Sequence, residues 1–178
     1  MRMRCRTAAL LLGLLVLPAV ASSPPAAAHD HIMPSLFLEH DGQSQRGTNY
    51  HVWWTAGDGA GACVGWSAVG PRTFPQEAVR EPDPWGAIRI EKRQRPVDVT
   101  LKAWPLVDLK GEPVGDETVV ETDIRRVRGA PTRQWGVVFE PPFPGDNYLD
   151  LRVEWKEAEG CGGRQGGHWT FHLFAASI

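Results

Sequence analysis

The sequence predicts an all-β protein folded as a two-sheet sandwich. Apolar and polar residues alternate with period two in about nine short segments between residue 35 and the C-terminus, the pattern of half-buried strands. Turn-forming clusters separate the segments: "HDGQSQRG", "GDGAG", "DLKGEPVGD", "RGAP", "PPFPGDN" and "CGGRQGG". No apolar stripe of helical period is long enough for a helix, and many short strands without helices close as a sandwich or barrel.

"SLFLEH" puts Leu36 and Leu38 on one face, and "NYHVWWT" groups Tyr50, Val52 and Trp54. "CVGWSAV" gives Val64, Trp66 and Ala68, and "AIRIEK" gives Ile88 and Ile90. "VDVTLKA" sets Val97, Val99, Leu101 and Ala103 against Asp98, Thr100 and Lys102. "ETVVETDIRRV" is strand-like without a steady phase. "QWGVVFE" gives Trp135, Val137 and Phe139. "LDLRVEW" sets Leu149, Leu151, Val153 and Trp155 against Asp150, Arg152 and Glu154, and "HWTFHLF" gives Trp169, Phe171 and Leu173. "GPRTFPQEAVREPDPWG", with its prolines, reads as a long irregular crossing. No internal repeat and no second domain is visible.

The N-terminus has the layout of a secretory signal: Arg2, Arg4 and Arg6, then an apolar run from Ala8 to Leu17, then small-residue cleavage signals at Ala19-Val20-Ala21 and Ala26-Ala27-Ala28. The apolar run is shorter than the ~20 residues of a membrane span. Cys5 precedes it, where a lipid-attachment cysteine would follow. Cleavage after Ala28 is preferred, with cleavage after Ala21 as the alternative. The expected divisions are a signal peptide over 1–28, a lead-in over 29–34 and a β-sandwich over 35–178. Residues 1–28 hold three arginines and no acid, so their removal takes the formal net charge from −2 to −5. An acidic chain has no electrostatic footprint for nucleic acid and no polybasic run for anionic lipid. No further segment is apolar enough to span a membrane. The expected location is secreted or extracytoplasmic.

Cys63 and Cys161 remain after cleavage. An even count in an exported chain favours a disulfide, and a thiolate metal site would normally show C-x-x-C spacing. If "NYHVWWT", "CVGWSAV", "LDLRVEW" and "HWTFHLF" are strands B, C, F and G, the B–C and F–G loops share one end. Cys63 and Cys161 then fall within the ~7 Å reach of a disulfide, and Trp66 takes the buried position on strand C. In this pattern the chain resembles an immunoglobulin-like Greek-key sandwich. It departs from the immunoglobulin pattern in joining loops rather than strand cores, and Tyr148 is out of phase for a tyrosine corner. A jelly roll is the rival.

Histidines occupy positions 29, 31, 40, 51, 168 and 172. On a strand His168 and His172 share a face but stand about 13 Å apart, too far for one ion. His40 and His51 read as ordinary strand residues. His29 and His31 differ because cleavage after Ala28 would make His29 the terminus. The amine, the two following amides and the His31 imidazole would form a square nitrogen set suited to Cu(II) or Ni(II). A terminal His29 is also similar to the histidine brace of lytic polysaccharide monooxygenases and to the N-terminal histidine of periplasmic copper-resistance carriers. That resemblance implies copper held with a further histidine. The expected donor set is His29, His31 and His168, with Asp58 nearby and Met33 available to Cu(I).

The chain has 8 tryptophans. Trp54, Trp66, Trp135, Trp155 and Trp169 fit core phases. Trp53 and Trp104 point the other way and Trp85 lies in the crossing, so these three are expected to serve a glycan or protein ligand. No serine-hydrolase elbow, zinc-protease motif or EF-hand loop occurs. "GDGAGA" lacks the lysine of a phosphate loop, and Glu157 and Glu159 read as a solvated edge. No catalytic residue is assigned. The expectation is a secreted binding protein, first for copper, second for an extracellular glycan or protein. A small copper-dependent oxidative enzyme acting on polysaccharide is the third reading.

Overall fold

The computed structural model describes residues 33–40, 42–57, 62–81, 85–127, 134–156 and 161–176. Among them are twelve strands and no helix. They are β1 (Leu36–His40), β2 (Gln43–Arg46), β3 (Thr48–Gly57), β4 (Cys63–Val69), β5 (Val79–Glu81) and β6 (Gly86–Ile90), followed by β7 (Pro96–Trp104), β8 (Thr118–Val120), β9 (Thr122–Arg126), β10 (Trp135–Phe139), β11 (Gly145–Trp155) and β12 (Gln165–Ala175). The smaller sheet runs β2-β1-β6-β10-β9. The larger runs β4-β3-β12-β11-β7-β8, with β5 also beside β12. Neighbours are antiparallel except β5, which lies parallel to β12.

The alternation read from the sequence sets the core. Leu36, Leu38, Ile88, Ile90, Val137 and Phe139 face inward from the smaller sheet. Leu101, Leu149, Leu151, Val153, Trp169, Phe171 and Leu173 meet them from the larger, all in one cluster. Each such side chain contributes on the order of 1.5–3 kcal/mol by leaving water. Trp54, Trp155 and Trp169 pack edge to face, with centroids 5.8 and 6.0 Å apart. Lys92 closes this end, its ammonium 4.3 Å from the Trp54 ring centre and 2.8 Å from Gln165 Oε1.

Cys63 and Cys161 form the expected disulfide, with Cα atoms 5.5 Å apart. The chain enters β1 from the same end: the Glu91 amide donates to Ser35 O, and adjacent Lys92 reaches Gln165 at the start of β12.

The structure differs from expectation in four main respects, and Val97, expected on the inward face of β7, is exposed. Twelve strands replace about nine. The polar "QSQR" pairs with β1 after a turn at Gly42, whose φ of 79° favours glycine. The crossing contributes β5. "ETVVETDIRRV" divides because β8 pairs with β7 in one sheet and β9 with β10 in the other, which explains its broken phase. Second, β3 and β4 are neighbours in one sheet, whereas immunoglobulin strands B and C belong to opposite sheets. The two loops still share an end because β4, β3, β12 and β11 are consecutive, so the disulfide forms. Third, Trp66 is 44% exposed. It lies opposite buried Trp54 and shares its face, but β4 is an edge strand and all seven of its residues are exposed. Fourth, Tyr50 does not join Val52 and Trp54 in the core cluster.

Candidate functional site

The fourth difference builds a cluster of polar and aromatic side chains on the outer face of the larger sheet. Across β3 and β12, His168 pairs with His51 and Trp169 pairs with Asn49, so Tyr50 is an extra residue in β3. A bulge of this kind lets consecutive side chains share a face. The Tyr50 hydroxyl reaches Asp150 Oδ2 at 2.5 Å and lies 3.1 Å from His168 Nδ1. His51 lies across from His168 with its ring almost parallel, at 6° and 5.7 Å between centroids. Trp53, two residues on, meets both rings edge-on at 5.0 and 5.8 Å. Its indole lies directly over Gly166, where a Cβ would come within 2.6 Å of the ring.

Asp150 organises the cluster. It faces away from the core on β11, yet is 4% exposed. Its Oδ1 is 3.1 Å from His168 Nδ1, and its Oδ2 is 3.6 Å from Arg72 Nη1. The cover comes from the irregular segment after β4. Arg72 stacks on Trp104 at 5.1 Å, Phe74 meets Trp104 and Tyr148, and Thr170 Oγ1 donates to Thr73 O. A buried polar group needs such partners.

Hydrogen-bond roles follow from the donor inventory. A carboxylate only accepts. The Tyr50 hydroxyl has one hydrogen, and it goes to Oδ2. His168 Nδ1, facing Oδ1, therefore carries a hydrogen. Neutral His168 then holds its lone pair on Nε2. Burial pushes the Tyr50 phenol well above its usual range, and the hydrogen bond and negative charge of Asp150 raise it further against a smaller opposing effect of Arg72. Tyr50 thus remains a neutral donor in this network.

His172 lies in a separate network. Its Nε2 is 2.9 Å from Asp146 Oδ1, its ring stacks on Tyr148 at 4.4 Å, and its buried Nδ1 has no hydrogen-bond partner. His168 and His172 therefore do not meet.

The expected tryptophans do not gather. Trp104 lies on the outward face, as its parity requires, but is 4% exposed beneath Arg72 and Phe74. Trp85 is 56% exposed and lines a cavity of about 520 Å³ with Glu121, Asp123, Arg125 and Glu140. Trp53 instead shares an open depression of about 410 Å³ with Trp66, Thr55, Ser67 and Arg164.

Of the expected metal donors, His29, His31 and Asp58 lie outside the described residues, as do Glu157 and Glu159. Met33 packs against the core. His168 is the fourth residue of β12 rather than its opening residue. Among the described residues no three of His, Cys, Asp and Glu gather closely enough to hold a metal ion. Of the expected histidine and aspartate donors His168 alone lies among the described residues, and its Nε2 suits a ligand atom because its Nδ1 is engaged by a carboxylate.

Tyr50, His51, Arg72 and Asp150 were not singled out in the sequence. The bulge that turns Tyr50 has no signature in "NYHVWWT". Asp150 sits at an outward position, where burial depends on a crossing of unknown path. Among the described residues no helix is long and apolar enough to cross a membrane. Compared with known proteins, no family model, no curated protein and no solved structure matches this chain.

Proposed function

We propose that the chain is an exported binding protein that captures copper through histidine. The disulfide is compatible with an extracellular site of action. The observation that carries the reading is the orientation of His168. Asp150 holds its Nδ1 at 3.1 Å, which presents Nε2 as the donor atom. A carboxylate behind a metal-binding imidazole fixes the tautomer and strengthens the ligand. His29 and His31, with Asp58, complete the donor set proposed from the sequence. Entry of the chain into β1 at the disulfide end favours their access to that end. Calorimetric titration of the mature chain with Cu(II) tests the reading. Stoichiometric, saturable heat is expected, and its absence at micromolar protein would remove copper capture.

A second reading rests on a different observation. Trp53 and Trp66 line one depression with Thr55, Ser67 and Arg164. Indoles beside hydroxyl and guanidinium groups suit a sugar ring. Saturable binding of a soluble oligosaccharide that disappears in Trp66→Ala would select this reading over copper.

A further inference from the structure

We propose that His51 and His168 form a cross-strand clamp for a divalent transition-metal ion on the outer face of the larger sheet. This rests on the copper-capture reading and names the residue that shares the ion with His168. The two residues are direct partners in the β3–β12 register. Such partners have Cβ atoms about 4.5–5.5 Å apart on a common face. Two imidazoles on that spacing can reach one ion at roughly 2.0–2.1 Å from each nitrogen after a side-chain rotation.

The two rings have different roles. His168 is fixed by Asp150 and Tyr50, with Nε2 as its donor atom. His51 makes no side-chain hydrogen bond among the described residues, and its ring contacts are with Trp53 and His168. It is the arm that turns. The nearly parallel rings at 5.7 Å are the open form, and closure needs rotation of His51 alone. Arg152, the β11 partner of His168, would oppose a cation. Its guanidinium is engaged by Glu154 and by Asp98 at 3.7 Å. Water fills the remaining positions on the ion. Cu(II) heads the affinity order for such nitrogen sites.

The test uses the full mature chain carrying His29→Ala and His31→Ala, which removes the N-terminal donors. Cu(II) is titrated by calorimetry, and nitrogen coordination is read by electron paramagnetic resonance. In this background one equivalent should bind with nitrogen ligands. Adding His51→Ala or His168→Ala should remove most of that binding. Asp150→Asn should weaken it about 10–100-fold, the usual effect of losing a supporting carboxylate. Thermal unfolding of each variant checks that the fold persists, and His51→Gln replaces His51→Ala if that protein fails to fold. If the unmodified chain binds no Cu(II), copper capture and the clamp both fall. If it binds Cu(II) but the His29→Ala/His31→Ala chain does not, or if His51→Ala leaves the remaining affinity unchanged, the clamp alone is overturned.

Discussion

Tyr50 shows how one residue escapes a periodic reading. Alternation in "NYHVWWT" assigns Tyr50 to the face of Val52 and Trp54, and those two are buried as expected. One extra residue in β3 turns Tyr50 outward to Asp150 and His168. The sequence singled out His168 for its expected place near the N-terminal histidines, whereas the contacts of Asp150 and His51 depend on neighbours across strands. The chain has 2 tyrosines. Burial raises both above their usual range, with Asp150 assisting at Tyr50 and Asp146 at Tyr148. A raised tyrosine pKa favours the folded state fully below the unfolded value of about 10, and that contribution is lost as pH climbs through the folded value. Ultraviolet titration at about pH 10 should therefore show little tyrosinate in the native protein. Denaturant added at that pH should release the signal. Half-ionised tyrosines in the folded protein at that pH would contradict the burial of Tyr50.

At the scale of the element, the position of a strand in its sheet decides what its pattern means. β4 and β3 carry directly opposed tryptophans with the same apparent phase, Trp66 and Trp54. Trp54 is on β3, which has a neighbour on each side, and belongs to the core cluster, whereas Trp66 is on the edge strand. Alternation identifies a face, but only the opposite sheet makes that face a core. Trp54→Ala should lower stability by about 3–5 kcal/mol in urea denaturation. Trp66→Ala should change it by about 0.5 kcal/mol or less. Equal losses would show that Trp66 is covered. The same principle explains Trp104, whose outward parity was legible but whose cover by Arg72 and Phe74 depends on the path of an irregular segment.

Across the whole molecule, the all-β class, the inward faces of most strands and the disulfide were legible because they depend on local period and on which loops share an end. Strand order was not, since it depends on pairings between distant segments. The Cys63–Cys161 bond spans 98 positions and joins the β3–β4 end to the β11–β12 end. Its loss from Cys63→Ser/Cys161→Ser should destabilise the chain by about 2–5 kcal/mol, measured as a shift of the urea midpoint. A midpoint unchanged by the double substitution would mean that the paired strands hold this end without it.

In the proposed clamp the Asp150-anchored His168 presents Nε2 to a metal ion shared with His51. Long-range nitrogen–proton NMR of the histidine rings tests it most directly, with diamagnetic Zn(II) standing in for copper. Neutral His168 should be the Nδ1–H tautomer. On addition of Zn(II), His168 Nε2 and one ring nitrogen of His51 should shift together and saturate at the same concentration. A His168 found as the Nε2–H tautomer, or Zn(II) binding that leaves both rings unmoved, would contradict it.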